Sequence, residues 1–129
     1  MDYKLSNKPL SLQEKINKSV SLYKRGLFKE ALIEAKSLAK QYPNVSLIYN
    51  IYGIINIALS DWDHSVHCFS KAIMLKPTYV EAHHNRGIAL RNLGRIEEAI
   101  LSYTKAIELN PDYVGAHDSL IQILTFYNP

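Results

Sequence analysis

Three prolines constrain this 129-residue chain more than any other feature: Pro43, Pro77 and Pro111 stand 34 residues apart. A proline has no backbone N–H to donate and crowds the turn before it, so each one ends a helix. Equal spacing between such breaks is the mark of one unit, repeated. Other side chains keep the same phase. Gly53 matches Gly87, the small residues Ala31, Ser65 and Ala99 align, and so do the turn formers Gly26, Ser60 and Gly94. Phe69 matches Tyr103, Ala72 matches Ala106, and Tyr79 matches Tyr113. Tyr49, His83 and His117 share one position of the unit.

Inside each unit the apolar spacing is helical. Leu12, Ile16, Val20 and Tyr23 line one face, and Phe28, Ala31, Leu32, Ala35 and Leu38 line the next, with Gly26 between. Ser11 with Glu14 reads as a capping box, and Thr78 with Glu81 as a second. The spacing predicts helices at 12–25, 28–41, 46–59, 62–75, 80–93, 96–109 and 114–127. No segment alternates with the period of two that a strand needs, so the expected fold class is all-α.

These residues resemble the tetratricopeptide-repeat (TPR) family, whose 34-residue pattern is W-x2-L-G-x2-Y, then A-x3-F, then proline. Residues 80–113 fit it with His83 in the Trp slot, Arg86-Gly87, Leu90, Ala99, Tyr103, Ala106 and Pro111. Residues 46–79 fit with Tyr49, Tyr52-Gly53, Asn56, Ser65, Phe69, Ala72 and Pro77, and residues 12–45 fit more loosely. The resemblance implies a right-handed α-solenoid of helix-turn-helix hairpins, about seven helices in all. It divides the chain into an N-terminal extension at 1–11 and a TPR domain at 12–129, made of repeats 12–45, 46–79 and 80–113 and a terminal helix 114–127. Gly53 and Gly87 are then close-packing sites, and Phe69 and Tyr103 fill the space between repeats. The terminal helix is apolar on more than one face. That points to further chain in a longer protein, or to self-association by stacking of exposed ends.

The resemblance also implies a concave groove lined by the first helix of each repeat. The expected partner-binding residues are Asn17, Leu47, Asn50, Ile51, Ile54, His84, Asn85, Ile88 and Arg91, with Gln13, Ile16, Val20, Ile57 and Glu81 beside them. Asp118, Ser119, Gln122 and Phe126 of the terminal helix extend the groove. TPR domains that clamp the carboxylate of chaperone tails do so with Lys, Asn and Arg. Those slots here hold Ile16, Val20, Ile51, Glu81 and Asn85, so that clamp is effectively absent. An asparagine ladder, the other TPR solution, is partial: Asn17 and Asn85 fit, and Ile51 and Ser119 interrupt it. A groove that is apolar in the middle suits a peptide or helix with aliphatic anchors.

Charge and composition narrow the function classes. The net charge is +3, too small to argue for nucleic acid, and basic and aromatic residues do not interleave. The basic surplus sits at the N-terminal end, where residues 1–45 hold nine Lys or Arg against four acids. A single cysteine, Cys68, cannot form an internal disulfide, and no stretch is apolar enough to span a bilayer, so the expected setting is the cytoplasm with no membrane contact. No cofactor or metal is expected. His83 and His117 read as packing residues because they share a repeat position, and His64 and His67 read as a solvated helix start. Cys68 and His67 are neighbours on a helix and point apart, so they make no catalytic pair. The chain is expected to be a protein-interaction scaffold and not an enzyme. The alternative is an N-terminal recruitment domain of a larger bacterial enzyme of the glycosyltransferase, sulfotransferase or oxygenase type.

Overall fold

The computed structural model describes residues 8–127 as seven helices: α1 (Leu12–Lys24), α2 (Phe28–Gln41), α3 (Ser46–Ala58), α4 (Trp62–Leu75), α5 (Val80–Asn92), α6 (Ile96–Leu109) and α7 (Val114–Tyr127). Three hairpins and a terminal helix result, as the repeat phase requires. Residues 1–7 of the expected extension lie outside the described residues.

Three helices stop one residue earlier than the apolar spacing suggests, at Lys24, Ala58 and Asn92. The cause is the turn that follows. Gly26, Ser60 and Gly94 take left-handed backbone, with φ of 77°, 57° and 77°. The next residue's N–H then reaches back to the helix: Leu27 to the Leu22 carbonyl at 2.9 Å, Asp61 to Asn56 at 2.8 Å and Arg95 to Leu90 at 2.9 Å. These bonds satisfy carbonyls that the helix end leaves free.

The helix starts differ among themselves. At α1 the capping box forms: Ser11 Oγ accepts from the Glu14 N–H at 3.1 Å, and the Ser11 N–H donates to Glu14 Oε1 at 3.4 Å. The second expected box, at Thr78 and Glu81, does not form. Tyr79 is the cap of α5, without a side-chain cap bond. Its ring is buried against Ala72 and Ala82, and its N–H closes a turn onto the Lys76 carbonyl at 3.1 Å. That turn sets helix entry at Val80 and leaves Thr78 outside.

Each helix packs on its neighbours in sequence, and α1, α3, α5 and α7 also touch one another in order. These contacts form one wall from the four helices, and α2, α4 and α6 each pack against the two wall helices beside them. Glycine makes the hairpins close. A methyl group placed on Gly53 would lie 2.5 Å from the Phe69 ring, and one on Gly87 would overlap the Tyr103 ring. Both rings are fully buried, and truncating either to Ala is worth about 3–5 kcal/mol. Hydroxyls tie the first two hairpins across the same pair of repeat positions, from opposite sides. Ser19 Oγ donates to the Ala31 carbonyl at 3.3 Å, and Ser65 Oγ to the Gly53 carbonyl at 3.2 Å.

The shared ring position has a job in all three of its copies. Tyr49 Oη donates to the Pro43 carbonyl at 3.0 Å. His83 Nε2 pairs with the Pro77 carbonyl at 2.9 Å and His117 Nε2 with the Pro111 carbonyl at 2.7 Å. A carbonyl only accepts, so each Nε2 carries the proton. The two histidines are therefore joints between hairpins, in keeping with their reading as packing residues.

Candidate binding face

The wall of α1, α3, α5 and α7 changes character along its length. Between α1 and α3 it opens into an apolar cleft of about 150 Å³, lined by Val20, Tyr23, Lys24, Ile51, Ile54 and Ile55. Ile51 and Ile54 are half-buried, so their side chains floor the cleft and still meet solvent. Leu47 lies two-fifths exposed near the start of α3. Lys24 supplies the one charge on the cleft rim.

Towards α5 and α7 the wall becomes polar, and its side chains hold one another. Asn85 Nδ2 donates to Asn50 Oδ1 at 3.2 Å. His84 Nε2 pairs with Ser119 Oγ at 2.9 Å, and the Tyr113 hydroxyl lies 3.3 Å from His84 Nδ1. Arg91 reaches Gln122 at the outer limit of bonding, 3.5 Å. Burial of the His84 ring lowers its pKa below the ordinary histidine value and favours the neutral form. His83 is lowered as well, chiefly by burial and against the opposing pull of the Pro77 carbonyl.

One geometric relation recurs at each crossing between these helices. Residues 35 apart meet: Ile51 packs on the Ile16 cluster, Asn50 bonds Asn85, and His84 bonds Ser119. The chemistry runs from aliphatic to amide to imidazole and hydroxyl. The asparagines expected on the binding face thus part company. Asn50 is buried and engaged with Asn85, whereas Asn17 is exposed on α1 and accepts from Gln13 Nε2 at 2.9 Å. Ile88 is half-buried against the Leu90 and Tyr103 cluster.

The structure brings Ile51 and Ile54 into one cleft and sets Asn17 apart from it. Tyr23 and Lys24 complete the cleft, whereas sequence reasoning assigns Tyr23 only to the helix face that packs inward. Their signal is present in the chain, because Tyr23 and Lys24 stand three and four residues after Val20.

Burial pushes the Cys68 thiol up to about 12, which leaves it protonated at neutral pH. The Asn56 amide lies 3.7 Å from its sulfur. His64 Nδ1 lies 2.7 Å from Asp61 Oδ2, and that contact holds the Asp61 carboxyl below its ordinary range. Among the described residues, no three His, Cys, Asp or Glu side chains gather as a metal ion would need. No described helix is long and apolar enough to cross a membrane.

Comparison with known proteins agrees with this geometry. The profile of the tetratricopeptide repeat matches residues 80–113. Protein FlbA of Caulobacter vibrioides is 30% identical over 71 residues, which cover 55% of this chain and 12% of that protein. Among solved structures, the first TPR of Spaghetti (RPAP3), bound to the HSP90 peptide SRMEEVD, superposes with a TM-score of 0.86 at 21% identity, covering 93% of this chain and 98% of that one. An O-GlcNAc transferase of Thermobaculum terrenum superposes with a TM-score of 0.85 at 21% identity, covering 91% of this chain and 22% of that one. The chain therefore spans a small fraction of the curated relative and of the transferase, and nearly all of the RPAP3 domain.

Proposed function

Because this chain is a tetratricopeptide-repeat protein, we propose that it is a cytoplasmic protein-interaction module, without chemistry of its own, that holds a partner peptide or helix on the α1–α3–α5–α7 wall. The observation that carries the reading is the apolar cleft over Ile51 and Ile54. It is the part of the wall whose side chains are not already bonded to one another. An aliphatic or aromatic anchor entering it removes apolar surface from water on both sides, at about 25 cal/mol per Å². The polar half orients the ligand through Arg91 and Glu81, which remain accessible.

The RPAP3 domain holds the acidic HSP90 peptide SRMEEVD. This wall has Ile51 and Glu81 at two of the positions where a basic clamp is needed, so it is matched to a different peptide. Binding is measured by fluorescence anisotropy with two probes: the peptide SRMEEVD, and a neutral helical peptide with leucines at i, i+3 and i+7. The neutral peptide binds, the acidic one does not, and Ile54→Lys abolishes binding with helicity unchanged. Tighter binding of SRMEEVD, or capture unaffected by Ile54→Lys, refutes the reading.

A second reading is that the module recruits partners for a larger protein. It is supported by the coverage of 12% of FlbA and 22% of the transferase. An immunoblot of source cells decides between the two. A band at 14.7 kDa fits the free-standing module, and a much larger one fits the recruitment domain.

A further inference from the structure

The two ends of the stack differ in polarity. Ten large apolar side chains are exposed among the described residues, and five of them lie on α7: Val114, Ile121, Leu124, Phe126 and Tyr127. At the other end α1 has none and α2 has only Ile33. There the exposed surface carries Lys18, Lys29, Lys36 and Lys40. The apolar surface on α7 is ordered. Three of the five, Val114, Ile121 and Leu124, fall on one line at spacings of seven and three, the seam along which two helices pair, with the half-buried His117 between the first two.

In the three hairpins, the position equivalent to Ile121 is Ser19, Gly53 or Gly87, and there the second helix approaches closely. Ile121 places a branched side chain where even a methyl group on Gly53 would crowd Phe69. A helix seated on α7 as α4 sits on α3 does not fit. The seam needs a partner helix that crosses farther out.

We propose that this partner is α7 of a second copy, in a closed two-fold dimer. Polarity selects it. The α7 helix carries one formally charged side chain, Asp118, so its face is matched by another uncharged face and not by the basic α1–α2 end. Head-to-tail stacking would set the apolar seam against lysines, whereas an isologous contact pairs like with like and closes. Ile121 lies at the middle of α7 (Val114–Tyr127), so an antiparallel pair centred on it uses the whole helix. The pairing leaves the cleft between α1 and α3 free, which keeps it independent of the binding reading above.

Sedimentation velocity of the 129-residue chain over a range of concentrations tests it. The expected mass rises from 14.7 kDa to twice that value and no further. Ile121 is 63% exposed, so Ile121→Lys leaves the single chain folded. It weakens the dimer by roughly thirtyfold or more, as loss of a central contact does. Leu124→Glu serves as the second variant, and circular dichroism checks the fold of both. Oxidative cross-linking fixes the geometry: Ile121→Cys, which sits at the two-fold axis, links copy to copy, and Lys18→Cys mixed with Ile121→Cys gives no mixed product. A single-chain mass at every concentration overturns the proposal. So does growth beyond two copies, or a mixed disulfide between the Lys18→Cys and Ile121→Cys chains, either of which means head-to-tail stacking.

Discussion

Ser60→Gly is expected to stabilise the protein although it removes atoms and adds no contact. Ser60 sits at φ 57°, in the turn where the other two hairpins place Gly26 and Gly94 at φ 77°. A side chain in left-handed backbone costs about 1–2 kcal/mol, because Cβ crowds the following carbonyl. Glycine removes that strain but is freer in the unfolded chain, which returns about 0.5–1 kcal/mol. The net expected gain is about 0.5–1 kcal/mol. Ser60 is exposed, so its removal leaves no cavity to offset the gain. For a chain of this size that corresponds to a rise in Tm of about 3 °C. Urea unfolding followed by circular dichroism reads it as a higher midpoint with an unchanged slope. The reciprocal change, Gly94→Ser, should lose a similar amount. If Ser60→Gly lowers the midpoint, or Gly94→Ser leaves it unmoved, the strain assigned to this turn is wrong.

Two further outcomes follow from buried groups. The Tyr103 hydroxyl is buried toward Arg91 and Ser119 yet makes no hydrogen bond of good geometry, and the equivalent residue one repeat earlier is Phe69. An unpartnered buried hydroxyl costs about 1–3 kcal/mol, so Tyr103→Phe should raise the unfolding free energy by about 1 kcal/mol; a clear loss would mean the hydroxyl has a partner. His83 and His84 have folded pKa values below the ordinary 6.5, so between the two values the unfolded chain holds more protons. Their contribution is therefore complete above pH 6.5 and is lost as the pH falls below it. The urea midpoint should drop from about pH 7 to about pH 5, and His84→Gln should flatten that slope; an unchanged slope refutes the role of His84.

What is legible in the sequence is whatever a single repeat position dictates. The prolines and the Gly26–Ser60–Gly94 turns fix helix limits locally, and the expected helices are off by one residue at three ends. The extra residue at each end is the C-cap, which completes a turn and no longer continues the helix. The close approach at Gly53 and Gly87 is legible because only a missing Cβ tolerates a ring there. The pattern at Thr78 misleads because a local cap competes with burial of the Tyr79 ring, and burial wins. The wall is less legible. Face periodicity selects Asn50, Ile54 and His84 alike, but which of them stays free depends on residues 35 positions away. The Asn50–Asn85 bond consumes two groups that the one-dimensional pattern offers to a ligand.

The seams between successive units also act on how the chain reaches its fold. Aliphatic meets aliphatic at Ile16 and Ile51, amide meets amide at Asn50 and Asn85, and imidazole meets hydroxyl at His84 and Ser119. A chain of near-identical units risks slipping, with one unit docking two places along and the intervening segment looped out. Here such a slip would set Ile16 against Asn85 and leave an amide against hydrocarbon. The first unit thus carries a chemistry that its proper neighbour matches and the next one does not, so a slip at that end of the stack is penalised as the chain assembles.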